Sequence, residues 1–246
     1  MAGLSKNALT AAQVRSALAV LGSEKKALAA QRFFKTGPGS YGEGDRFLGV
    51  TTPELRGVVA RFRALPFNET LKLLKTGVHE ERLASLSIWT LQFKATQDES
   101  VRGRIVRAYL THARHVNNWD LVDSSADKIL GIWLFDKNRA LLYDLVTSNL
   151  LWERRIAMVA TWAFIKAGES KDALRLAGLL MNDPEDLLHK AAGWMLREVG
   201  KRVSREDLSG FLKKNAHHMP RTMLRYAIEH YPEPERKRWL AMSRSV

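Results

Sequence analysis

Signals that start helices recur along almost the whole chain, and they constrain its fold more than any other feature. Thr10 stands before residues 11–21 with Gln13 at the third position, and Ser23 stands before 24–35; a hydroxyl followed by a Gln three residues on caps a first turn. Thr52 and Pro53 restart the chain as a cap followed by proline at the first helical position. Asn68, closed by Gly77, then Asp98, Asp183–Pro184, Ser204, Pro220 and Pro234 repeat the pattern. They predict helices over 80–94, 98–113, 116–130, 138–147, 152–167, 171–180 and 185–201, with others after Ser204, Pro220 and Pro234. No stretch alternates in the manner of a strand bounded by hairpin turns. The one clear irregularity is 36–45, TGPGSYGEGD, whose four glycines and proline predict a loop. The expected fold class is all-α.

The helices also repeat. Glu81-Arg82-Leu83-Ala84 is similar to Arg154-Arg155-Ile156-Ala157 and to His189-Lys190-Ala191-Ala192, with offsets of 73 (82 to 155) and 35 (155 to 190). A period of roughly 35–40 residues built from paired helices is the signature of a HEAT- or armadillo-like solenoid, with an ordinary helical bundle as the alternative. The expectation is one HEAT-like repeat domain over 1–246 with a concave basic groove. In it Arg82, Arg155 and Lys190 would occupy equivalent places, and a further copy would fall near residue 118, where Asp120 or a neighbour replaces the cation.

Charge narrows the partner. Thirty-nine Lys and Arg against 26 Asp and Glu leave +13, spread along the chain, and a distributed basic excess favours a polyanion such as nucleic acid. The absence of cysteine excludes disulfides, thiolate metal sites and a cysteine nucleophile. His112-x-x-His115 and His217-His218 have no third ligand in a shared motif, and neither a phosphate-binding GxxxxGK[ST] loop nor a GxSxG elbow occurs. No metal and no cofactor are expected. The first 22 residues carry only a short apolar run, broken by Gln13 and Arg15, and nothing approaches the ~20 apolar residues of a membrane span. A cytoplasmic protein, without a membrane partner, is the expectation.

Within this basic chain, 116–130 gathers Asn117, Asn118, Trp119, Asp120, Asp123 and Asp127. On one helix Trp119 and Asp123, four residues apart, share a face, and an aromatic plane beside a carboxylate suits something flat and cationic. A carboxylate among cations stays ionised. Asp123 is therefore expected to stabilise a positive charge, such as an oxocarbenium-like sugar, or else to pair with Arg155 and join two repeats. Trp194 follows Gly193 and lies near Lys190 and Arg197, so it and Trp119 are expected at a nucleic-acid surface. Trp152 is a further aromatic of interest. Trp89, Trp133 and Trp162, among apolar neighbours, are expected in the core.

Four segments together, FLGVTTPELR (47–56), NNWDLVD (117–123), LWERRIAM (151–158) and KAAGWMLRE (190–198), resemble the AlkD-type DNA alkylation repair family. Its members are HEAT-like glycosylases that remove 3- and 7-alkylated purines. The resemblance implies that Asp123 is the catalytic carboxylate, that Trp119 and Trp194 contact the sugar of the lesion nucleotide, and that Arg155 holds the adjacent backbone. Arg82, Arg154, Lys190 and Arg197 complete the expected DNA-binding set. It further implies a monofunctional hydrolase of base excision repair, without strand cleavage. A monomer is expected, acting on double-stranded DNA with alkylated bases and nucleoid-associated when bound. The chain departs from the family in its longer loop at 36–45, in Phe33 where a tyrosine is usual and in Thr51 where a glutamine is usual. A DNA binder without catalysis and, less simply, a protein-interaction scaffold are the alternatives.

Overall fold

The computed structural model describes residues 8–242. These divide into two compact units at the Ser125–Ala126 junction. Among the described residues the fold is all-α and of the HEAT-like helical-repeat type; β structure is limited to an isolated bridge between Arg46 and Val78.

The first unit contains α1 (Ala11–Val20), α2 (Glu24–Phe33), α3 (Thr52–Arg61), α4 (Phe67–Leu74), α5 (His79–Ala95), α6 (Glu99–Thr111) and α7 (Trp119–Ala126). Caps set several of these starts. Thr10 and Gln13 form a capping box on α1, and the Asp98 carboxylate accepts from Ser100 N at 2.8 Å at the head of α6. At α3 the cap is Thr51 rather than Thr52: the Glu54 carboxylate accepts from Thr51 N at 2.8 Å and from its hydroxyl at 2.5 Å. Asn68 does not cap α4, which begins one residue earlier, behind Pro66. Val14, Leu18, Leu55, Val59, Phe62, Leu73 and Ile88 build the core that binds α1, α3, α4 and α5 together. On α5, Trp89 is fully buried beside Phe67 of α4.

The second unit opens with a π-helical turn (Asp127–Gly131) and continues as α8 (Ala140–Val146), α9 (Leu151–Ala160), α10 (Trp162–Lys166), α11 (Lys171–Leu179), α12 (Asp186–Arg202), α13 (Arg205–Asn215), α14 (Arg221–Ala227) and α15 (Glu233–Met242). The helix expected over 152–167 is two helices, because Thr161 folds its buried hydroxyl back onto Met158 O at 2.7 Å, a local bond that competes with the helical ladder. α12 is the central element of this unit, packed by α9, α11, α13 and α14. Gly193 permits the close approach of α14: a Cβ there would stand 2.5 Å from Met223 O. Among the described residues no helix is long and apolar enough to cross a membrane.

Candidate functional site

α7 begins at Trp119, whose N–H donates to the buried Asn118 side chain at 2.8 Å. The helix starts later than the span 116–130 implied, and its base rests on a buried polar network. Asp45, from the end of the glycine-rich loop, lies 2.7 Å from Arg82 Nη2 and 3.3 Å from His79 Nδ1. His79 Nε2 meets Asp120 Oδ2 at 2.8 Å, and Arg82 Nη1 donates to Asn117 Oδ1 at 2.5 Å. Asp45, His79 and Arg82 are buried and Asp120 is part-exposed, so two carboxylates match two cations, the condition under which buried charges are tolerated. Burial alone would push the His79 imidazole down, but its bonds to Asp120 and Asp45 outweigh that and raise it to about 8. Burial likewise opposes ionisation of Asp45, and His79 and Arg82 overcome it, holding that carboxyl below its usual range.

This network changes two expectations. Arg82 is 3% exposed and its guanidinium is engaged by Asp45 and Asn117, so it is a structural ion-pair partner and not a surface cation. Asp120, which stood in the repeat where a cation was expected, is the acceptor that ties α7 to α5 through His79. A half-open cleft of about 270 Å³ lies next to the network, lined by Phe34, Phe47, His79, Glu80 and Asp120 among others. Its carboxylates are already occupied, Glu80 by the N–H groups of Leu48, Gly49 and Val50 and Asp120 by His79 and Leu121 N.

Trp119 and Asp123 both lie half-buried on α7, on the shared face their spacing gives them. The Trp119 ring stacks on Phe34 (centroids 5.2 Å apart, planes at 30°) and meets Phe33 edge-on at 5.8 Å. Its Nε1 donates to the hydroxyl of Tyr41 at 3.1 Å. Phe34, Phe47 and His79 continue the stack beneath it.

In the second unit the other expected residues lie on α9 and α12, which pack against each other. Arg155 is buried and donates to Leu187 O at 2.5 Å, pinning α9 to the first turn of α12. Arg154 sits 2.7 Å from Asp183 and donates to Ser148 O at 2.8 Å. On α12, Lys190 pairs with Asp186 at 2.8 Å while its side chain stays 40% exposed, and Arg197 bridges Glu198 at 3.0 Å and Glu229. Trp194 is half-buried and lies 6.2 Å from Trp162. Trp152 is buried. Of the tryptophans expected in the core, Trp89 is there, but Trp133 and Trp162 are half-exposed under cations: Lys137 over Trp133 at 4.6 Å, Arg202 and Lys166 over Trp162 at 4.9 and 5.7 Å. The apolar neighbours of Trp162, Ala163, Phe164 and Ile165, are buried as expected while Trp162 itself is not.

Among the described residues no group of three or more His, Cys, Asp or Glu side chains is placed to hold a metal ion. His217 and His218 hydrogen-bond to each other at 2.9 Å.

A family model described as "DNA alkylation repair enzyme" matches residues 14–231. The chain belongs to this DNA alkylation repair family. All four motif segments of the resemblance fall inside the matched span. Among solved structures, a predicted DNA alkylation repair enzyme from Enterococcus faecalis superposes with a TM-score of 0.65 at 14% identity, over 86% of this chain and 97% of that one; at that identity the likeness is one of fold. A comparison with curated proteins found no match. Tyr41, Asp45 and His79 are the residues around α7 that sequence reasoning missed. Only the placing of Asp45 at the end of the glycine-rich segment and of His79 at a helix start hinted at them.

Proposed function

We propose that this protein is a monofunctional DNA glycosylase that releases cationic 3- or 7-alkylpurines from double-stranded DNA, with Asp123 as its working carboxylate. The observation that carries the reading is α7: a half-buried acid and a half-buried indole on one helical face, in a +13 chain of the alkylation repair family.

The chemistry asks little of the protein. Alkylation at N3 or N7 leaves a positive charge on the purine, so the C1′–N bond breaks with its electron pair going to the base, which departs neutral. The positive charge passes to the sugar, where a fixed carboxylate stabilises it. Water then bonds to C1′ and releases a proton. Asp123 both faces the sugar cation and orients that water, and no group on the protein forms a covalent bond. Trp119 offers a π face to the same cationic centre. Lys190 and Trp194, part-exposed on α12, are assigned to the DNA backbone and sugar, joined by Arg197. Arg154 and Arg155 are assigned to that interface through the α9 and α12 frame that they hold in place.

The test is release of free base. Purified protein incubated with DNA containing N7-methylguanine liberates the base under the proposal, and intact abasic strands remain. DNA bound with no base liberated from several alkylated substrates supports the second reading, a non-excising DNA binder. A scaffold for acidic proteins would bind DNA weakly if at all, whereas a DNA-binding protein loses affinity steeply with salt.

A further inference from the structure

The glycine-rich segment 36–45 has neither helix nor strand, yet it is fixed at both ends and in its middle. Thr36 N donates to Gln31 O at 3.2 Å. Gly42 is buried against the end of α2, and a Cβ there would stand 2.7 Å from Phe34 O, so glycine is what lets the chain pass. Asp45 closes the segment inside the network with His79 and Arg82, and Arg46 N follows it onto Gly77 O at 3.0 Å. Between these anchors Tyr41 receives the Trp119 Nε1 hydrogen bond at 3.1 Å. Phe34 and Phe33 bound the same indole by stacking and edge contact.

We propose that segment 36–45 is a strap that orients Trp119, with Tyr41 as a positioning residue for the proposed excision reaction. Indole has a single donor, and Tyr41 takes it. Trp119 therefore presents a ligand with a π face in a set plane and no hydrogen bond of its own. A cationic sugar or base is attracted by such a face, and holding it in place lowers the barrier because small misplacements of reacting groups are costly in rate. The catalytic part of this inference rests on the glycosylase reading; the hold of Tyr41 on Trp119 does not.

Tyr41→Phe removes the hydroxyl and keeps the ring, so the strap's packing survives, and a thermal melt checks that it does. Two readouts are needed. The first is exchange of the Trp119 indole N–H followed by NMR, its resonance assigned by its loss in Trp119→Phe. Losing one hydrogen bond should speed exchange about fivefold. The second is single-turnover base release at saturating enzyme, alongside the Kd for undamaged DNA. The proposal expects the saturating rate to fall about tenfold and Kd to stay within about twofold. An unchanged saturating rate overturns the positioning role, and if Kd weakens at the same time the strap is a DNA contact instead. Unchanged indole exchange overturns the proposal whatever the enzyme does. If the wild-type protein releases no base, the glycosylase reading fails by itself, and indole exchange alone decides whether Tyr41 sets Trp119.

Discussion

Raising the pH through 8 should loosen the first unit through His79, and the effect can be worked from the structure. The folded-state value of about 8 lies above the ordinary 6.5. A raised value means that folding favours the protonated ring, so the stabilisation is complete below about pH 6.5 and disappears as pH climbs through about 8. A difference of about 1.5 units corresponds to about 2 kcal/mol. The charged groups facing the ring are Asp45, Asp120 and Arg82. Urea unfolding at pH 6, 7, 8 and 9 should be compared between wild type and His79→Gln, which cannot ionise. Subtracting the variant cancels groups elsewhere, including His115, whose burial pushes it below the usual histidine value and whose influence falls at lower pH. The wild-type advantage should shrink by about 2 kcal/mol across that range. A difference that is flat with pH, or that grows toward pH 9, would refute the imidazolium account of the network.

Two further outcomes follow from the second unit. Gly193→Ala should destabilise the protein by about 1–3 kcal/mol, the usual cost of overpacking, since its Cβ would press on Met223 O at 2.5 Å; a melt matching wild type would show that α14 can move aside without cost. Lys190→Ala should weaken DNA binding and reduce the slope of log K against log salt by about 0.9, one phosphate contact's worth. An unchanged slope would take Lys190, part-exposed beside Asp186, off the DNA.

What was legible in the sequence was mostly local. Caps act within a turn, so Thr10, Asp98 and Ser204 announced α1, α6 and α13 correctly, each with its side-chain bond in place. The all-α repeat fold followed from them, and the resemblance drawn from four motifs is borne out by the family match over 14–231. What was hidden depended on pairings between distant stretches. Arg82 looked like one cation in a repeated row, but its acceptors, Asp45 and Asn117, come from a loop and from the approach to α7, and no periodicity in α5 contains them. Trp162 read as core from its neighbours, whereas the break at Thr161 turns it toward Arg202 and Trp194. The segment 36–45 read as a loop, as its glycines require. That its Tyr41 reaches Trp119 is a tertiary fact with no signature in composition.

Asp123 on α7 is the carboxylate proposed to stabilise the sugar cation as an alkylated base departs. Single-turnover release of 7-methylguanine from alkylated duplex DNA, comparing wild type with Asp123→Asn at saturating enzyme, tests it most directly. Wild type should release base and the variant should be slower by about 10²–10³, the scale of losing one preorganised electrostatic partner, with DNA affinity retained. An Asp123→Asn protein that releases base as fast as wild type would contradict it.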